Sequence, residues 1–304
     1  MDNTKIGCLL MNIGTPSEPT IPSVRSYLKE FLSDPDVIDT NPILRWIIVN
    51  LFVVPFRPQK VLPQYQSVWM DEGSPLLAYT KKFVKKITAI NSDIIFDIGM
   101  RYGTPSIEQG IKNLQEAKVE KIILSPMFPQ YAQATSGSCI KKAIQIIEDQ
   151  NINIPYEINP YFYHEEFIIN CLAETIENSN VYQESEFLLF SFHGLPERQI
   201  KKMDISKSHC LIQENCCEIP CEFNKMCYKH HCYETVKKVM DKVSIKKGKV
   251  HPIYEWLTDP NLNGWNSTSP SWNFGKYLLD EKGDLLKYYP SSVSPTSDKI
   301  ITQL

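Results

Sequence analysis

Short apolar runs, each closed by a Gly, Pro or polar turn and followed by a helical apolar repeat, constrain this chain more than any single residue does. The runs are Lys5 to Ile13, Asp93 to Gly99, Lys121 to Ser125 and Glu186 to Phe192. Between them Val24, Tyr27, Leu28, Phe31 and Leu32 recur at helical spacing, as do Ile107, Ile111 and Leu114, and then Ile140, Ala143, Ile144 and Ile147. Strands without polar alternation must be covered on both faces, so the rhythm predicts an α/β, doubly wound parallel sheet. Ligands of such sheets bind beyond the carboxyl ends of the strands. Four segments fall there: Asn12 to Pro16, Met100 to Gly103, Pro126 to Tyr131 and Ser191 to Pro196. All four are expected to converge on one cleft.

Length and charge narrow the class. A chain of 304 residues has room for about two domains. A formal net charge of -3 gives no electrostatic case for a nucleic-acid partner. A small-molecule enzyme is the expectation. The first residues, MDNTKIGCLLMNIGTP, lack a charged leader and a cleavage site, which predicts a cytoplasmic protein. Ile43 to Phe56 is greasy but interrupted by Arg45 and Asn50, and falls short of the roughly 20 residues a membrane span needs. It reads either as a buried helix or as an apolar lip facing a membrane or a greasy ligand.

Two features carry candidate chemistry. His193 ends the run FLLFSF and precedes Gly-Leu-Pro, which would expose its imidazole at a strand end for metal binding or proton transfer. A hydrogen-bonded structural histidine at a turn is the alternative. Six of the nine cysteines, Cys210, Cys216, Cys217, Cys221, Cys227 and Cys232, crowd into one segment, which suggests a metal more than a disulfide framework in a reducing compartment. Four thiolates there would suit zinc or an iron-sulfur cluster.

Six blocks resemble, in order and spacing, the motifs of ferrochelatases: LLMNIGTP (9 to 16), YLKEFLSDPDVID (27 to 39), YQSVWMDEGSPLLAYT (65 to 80), MRYGTP (100 to 105), LSPMFPQYAQATSGS (124 to 138) and SFHGLPER (191 to 198). The resemblance implies two Rossmann-like chelatase domains around a porphyrin cleft. It also implies insertion of Fe2+ into protoporphyrin IX to form protohaem, a lyase reaction. By the same resemblance His193 is the active-site histidine that ligates iron or accepts the pyrrole protons. Ile13 lies against the porphyrin face, Ser74, Arg101 and Tyr102 hold the pocket and a propionate, and Phe128 and Tyr131 line the cleft. An Arg101 salt bridge and ordinary core aromatics are the plainer alternatives. Ile43 to Phe56 then resembles the family's hydrophobic lip, with peripheral membrane contact as the expected use.

The Cys-rich insertion, 209 to 232, is similar to the segment that holds a [2Fe-2S] cluster in a subset of bacterial ferrochelatases. The ligands implied are Cys210, Cys217, Cys227 and Cys232, with Cys216 and Cys221 as competitors and zinc as the alternative metal. The resemblance is expected to cover residues 1 to about 242, as a domain over 1–155 and an incomplete second one over 156–242. The family's catalytic glutamate, which faces the histidine, has no counterpart in sequence; Glu255, Asp280 and Glu281 are nearby carboxylates that no motif places in the cleft. Residues 243–304 instead resemble the tail of a glutathione peroxidase, a partial thioredoxin-like piece with two strands joined at Lys282-Gly283 and a short helix from Ser297. Trp272 and Asn273 match half of that family's catalytic tetrad and read as relics without a nucleophile. The rival functions are therefore an inactive remnant that binds porphyrin or an iron-sulfur cluster, and a peroxidase-like fragment.

Overall fold

A computed structural model of the protein describes residues 4–180, 182, 188–213, 215–218, 220–243, 252–268, 276–280, 282–289, 293 and 300. The opening apolar run forms β1 (Ile6–Gly14), buried without interruption from Gly7 to Asn12, as a central strand must be. β2 (Ile94–Tyr102) and β3 (Lys121–Pro126) flank it, and β4 (Tyr156–Ile158) adds a short edge. All pairings are parallel and the order is β2-β1-β3-β4. Leu9 stands opposite Asp97 on one side and Leu124 on the other, which fixes the register at the sheet's centre.

The long crossover from β1 to β2 carries α1 (Ile21–Ser33), α2 (Pro42–Ile47), a π-helical turn (Ile48–Val53), α3 (Val54–Val68) and α4 (Pro75–Ile90). Sequence reasoning left open whether Ile43 to Phe56 is buried. Only Val49 of that run is; Ile43, Trp46, Phe52 and Phe56 are each more than half exposed, so the apolar face is turned outward. Among the described residues no helix is long and apolar enough to cross a membrane.

α5 (Ile107–Glu116) joins β2 to β3, and α6 (Ser138–Asp149), entered through a π-helical turn (Gln133–Gly137), joins β3 to β4. Ser106 caps α5 by accepting the Gln109 N–H at 3.1 Å. The buried stripe of α5, Ile107, Gly110, Ile111 and Leu114, packs on β1 and β3 with Leu9, Met11, Ile122 and Leu124, and α6 adds Cys139, Ala143, Ile146 and Ile147. Gly110 is the point of closest approach. A Cβ there would stand 2.4 Å from Leu9 Cδ1 and 2.9 Å from the Ile98 carbonyl oxygen. A second cluster, Val24, Tyr27, Leu28 and Tyr102, seats α1.

Further along are α7 (Glu166–Glu177), α8 (Glu197–Met203), α9 (Tyr228–Lys242), α10 (Pro252–Thr258), α11 (Pro260–Asn263) and an antiparallel hairpin of β5 (Lys276–Leu279) and β6 (Leu285–Tyr289). The chain divides into two compact units. The first holds 1–165, 195–210 and 215–234; the second holds 166–194, 211–214 and 235–304.

Two expectations meet the second unit. Of the run expected as a fourth strand, the described residues 188–192 make no sheet pairing, and Phe190 instead packs with Ile169, Ala173, Val239 and Val243. A strand needs a neighbour's backbone to bond with, and among the described residues none lies alongside. The hairpin forms as expected. Gly283 takes φ +89°, a left-handed value that glycine adopts freely, and Asp280 closes the turn by accepting the N–H groups of Lys282 and Asp284, each at 2.9 Å. Trp272, Asn273, Glu281 and the stretch from Ser297 apart from Ile300 lie outside the described residues.

Candidate active site

The chain crosses from β1 to β2 on one side and then returns past β1 to β3 on the other, so the order β2-β1-β3 places a switch point between β1 and β3. A groove of about 390 Å³ opens there. Its floor is Asn12 of β1 and Met127, just past β3; its wall is Leu76, Tyr79, Thr80 and Phe83 of α4. These four recur at i, i+3, i+4 and i+7, one face of a helix. Met127 N–H donates to the Met11 carbonyl at 2.7 Å, which pins the loop after β3 against β1. Ser74 is buried at the N-cap position of α4. Ile13 and Phe128, next to the two floor residues, are half-buried, Ile13 against the Val24 cluster and Phe128 against the Leu9 cluster.

Arg101 and Tyr102, expected at a propionate, converge on a residue that sequence reasoning did not single out. Asp34 ion-pairs with Arg101 Nη2, while its Oδ2 accepts the Tyr102 hydroxyl at 2.7 Å and the Ser138 hydroxyl at 2.6 Å. Arg101 Nε donates to Ser138 Oγ at 2.7 Å, and its guanidinium lies 4.5 Å from the Tyr102 ring centre. Burial pushes the Asp34 carboxyl up, but hydrogen bonds from Ser138, the Asp36 N–H and Tyr102, with the Arg101 charge, outweigh it and hold the acid below its ordinary value. Burial also drives Tyr102 far above the normal phenol range. The plainer reading of Arg101 as a salt bridge thus describes its geometry.

Tyr131 is buried and its hydroxyl donates to Gln133 Oε1 at 3.0 Å. It borders a different groove, of about 540 Å³, shared with Ile140 and Ile144 of α6, Ile158, Pro160 and Met226. The Tyr131 N–H donates to Nδ1 of buried His231 at 3.0 Å. Burial holds the His231 imidazole down at about 4.

The Cys-rich segment is organised by polar residues. Asp204 Oδ2 accepts the N–H groups of His209 and Cys210, both at 2.8 Å, and its Oδ1 accepts from Ser206 N–H and Oγ. Asn224, fully buried, accepts the Cys221 N–H at 2.8 Å and donates to the Cys216 carbonyl at 2.9 Å. All nine cysteines are free. The thiols of Cys210 and Cys217 hydrogen-bond to Cys227, which also takes N–H groups of Lys229 and His230 at the start of α9, so Cys227 is held well below the usual thiol range. Cys216 Sγ lies 3.8 Å from Cys217 Sγ, Cys221 pairs with His209 Nε2 at 3.5 Å, and burial pushes Cys232 up to about 12. Among the described residues no three or more His, Cys, Asp or Glu side chains are already grouped to hold one metal ion.

His193 belongs to the second unit and is exposed, in a stretch without helix or strand. α8, which follows the His-Gly-Leu-Pro turn, is anchored inside the first unit: Lys202 Nζ bonds both carboxylate oxygens of Asp39 at 2.6 Å, and Gln199 reaches the Val37 carbonyl at 3.5 Å. Glu255 sits in the first turn of α10, and the Asp280 carboxylate is engaged in its own hairpin turn.

A family model described as Ferrochelatase matches residues 5–258, past the point near Val243 where the resemblance was expected to end. A ferrochelatase of Coxiella burnetii (strain RSA 493 / Nine Mile phase I) is 41% identical over 246 residues, covering 80% of this chain and 68% of the relative. One of Bdellovibrio bacteriovorus is 36% identical over 242 residues, covering 79% and 71%. One of Pseudomonas fluorescens is 33% identical over 242 residues, covering 79% and 70%.

Proposed function

The chain belongs to the ferrochelatase family, and from that premise we propose that it inserts Fe2+ into protoporphyrin IX, with the switch-point groove as the seat of the macrocycle. It is a lyase of haem biosynthesis. The observation that carries the reading is the family match over residues 5–258, which spans all six motif blocks. The groove agrees with it in chemistry. Tyr79 and Phe83 offer aromatic faces to a flat apolar ring, beside Ile13 and Phe128 at the strand ends.

Two of the Arg101 nitrogens, Nε and Nη2, are already engaged, so Arg101 and Tyr102 serve first to shape the pocket wall through Asp34, with Ser74 at the entry of α4. His193, exposed after the FLLFSF run, accepts the pyrrole protons as the metal enters. The outward apolar face of Ile43 to Phe56 serves as the lip through which a greasy substrate arrives, against a membrane surface.

The donor chemistry of the Cys-rich segment fits a [2Fe-2S] cluster. The thiols of Cys210 and Cys217 both bond to Cys227, and Cys232 is buried on α9, which begins one residue after Cys227. When bound, the cluster would cross-link the segment and store an electron. For the tail, the β5–β6 hairpin supports the peroxidase-like reading, with Trp272 and Asn273 as relics.

The test is a metal-insertion assay on the full chain with Zn2+ or Fe2+ and protoporphyrin IX. His193→Ala should lower turnover by roughly 10²- to 10⁴-fold, the scale of a lost general base, while porphyrin still binds. Native-like turnover in that variant would remove His193 from the reaction, and a wild-type protein that binds porphyrin without metallating it would leave a binder in place of an enzyme.

A further inference from the structure

Two consecutive histidines at the start of α9 face different parts of the first unit. His230 Nδ1 lies 2.8 Å from the Cys217 carbonyl, and His231 Nε2 lies 2.9 Å from the Lys225 carbonyl. A carbonyl can only accept, so both of these nitrogens carry hydrogens. His231 Nδ1 lies 3.0 Å from the Tyr131 N–H, which can only donate, so that nitrogen is the bare one. One tautomer of His231 therefore satisfies a donor in the loop after β3 and an acceptor in the Cys-rich segment at once. The ring has little freedom to do otherwise: it is fully buried and stacks on Tyr163 at 3.9 Å between centres and 15° between planes.

The loop that His231 holds runs from Met127, a floor residue of the switch-point groove, to Tyr131. We propose that His231 is a positioning residue for that loop, and that through it the fold of the cysteine segment sets the shape of the porphyrin seat. The binding half of the inference rests on the proposed function; the tie between His231 and Tyr131 does not.

Amide hydrogen exchange and porphyrin titration on the full chain separate the two. His231→Phe keeps the ring stack and removes both hydrogen bonds. It should speed exchange at the Tyr131 amide and raise the Kd for protoporphyrin IX, read by quenching of tryptophan fluorescence, each by roughly tenfold, the scale of one buried hydrogen bond. His231→Asn, whose Oδ1 can replace Nδ1 as acceptor, should recover most of both effects, which a role in bulk packing would not allow. Asn224→Ala disturbs the cysteine segment without touching the loop. It should speed Tyr131 exchange in the native background and add nothing once His231 is Phe. Unchanged Tyr131 protection in His231→Phe overturns the tie whatever porphyrin does, and additive effects of the Asn224 and His231 changes overturn the link to the segment. Lost protection with native porphyrin affinity overturns the positioning role. A native protein that fails to bind porphyrin overturns the proposed function instead, and the exchange data still judge the tie.

Discussion

The first unit closes thirteen buried side chains around a sheet whose central strand is covered on both faces, whereas the described part of the second gathers four, Ile169, Ala173, Val239 and Val243. The difference separates the candidate residues into two settings. Groove and Asp34 network belong to the well-packed unit, as does the cysteine segment apart from 211–214, so the proposed seat of the macrocycle is built before any ligand comes. His193 belongs to the other, on a stretch without sheet pairing whose next helix, α8, is tethered to Val37 and Asp39. The proposed binding groove is preorganised by packing; the proposed proton acceptor lies on a stretch outside the sheet.

Asp34→Asn is the sharpest way to break the first half of that contrast. It leaves the largely buried Arg101 without its partner, and removing one member of such a pair costs about 3–5 kcal/mol. The acid is held below its ordinary pKa of about 4, so the stability it contributes is complete above that value and is lost as pH falls through the lower folded value. Urea midpoints at pH 7 and pH 3 should therefore differ less for Asp34→Asn than for the native chain. An equally stable variant with the same slope would show that the network is not structural.

Next in size, Ile111→Ala should cost about 3–5 kcal/mol in the dense core and Ile169→Ala about 2 in the smaller cluster, where neighbours can close the gap. Equal losses, measured by denaturant unfolding with hydrogen exchange to assign each loss to its unit, would erase the contrast. Gly283→Ala forces a side chain into a left-handed turn, at about 1–2 kcal/mol. Its effect should stay local to the β5–β6 hairpin, and a drop in porphyrin binding would tie the hairpin to the site. The smallest effect is expected for Lys202→Ala, since an ion pair with a mostly exposed partner is worth about 1 kcal/mol or less. That change should loosen α8 in low salt and become silent in high salt, whereas an equal effect at both would locate the tether elsewhere.

Much of the first unit could be read from periodicity. β1, β2 and β3 and the helices after them carry either an unbroken apolar run or a clean helical stripe, and both patterns report burial directly. β4 could not be read so, because its three residues are exposed and its pairing is imposed by β3. The run 188–192 failed the other way: FLLFSF has the composition of a strand, but composition supplies no partner. In the site, strand-end position found the floor of the groove, and clustering found the cysteines. Asp34 and Asp204 stayed hidden inside SDPDVID and KKMDISKSHC, which look like solvated turns. Asp34 becomes important only when the distant Ser138 and Arg101 fold onto it, and Asp204 only when the chain just after it turns back to offer the N–H groups of His209 and Cys210.

The wall of the groove is a single helical face, Leu76, Tyr79, Thr80 and Phe83, standing against strand ends that belong to the sheet. Thr80 Oγ1 bonds back to the Leu76 carbonyl at 2.7 Å, which leaves Tyr79 and Phe83, both exposed, as the bulky members of that face. Substitutions at those two positions can widen or narrow the proposed seat without disturbing any strand register. A lineage selecting for a different tetrapyrrole, or a designer seeking one, could retune ligand choice on one turn and a quarter of helix while the scaffold stays the same.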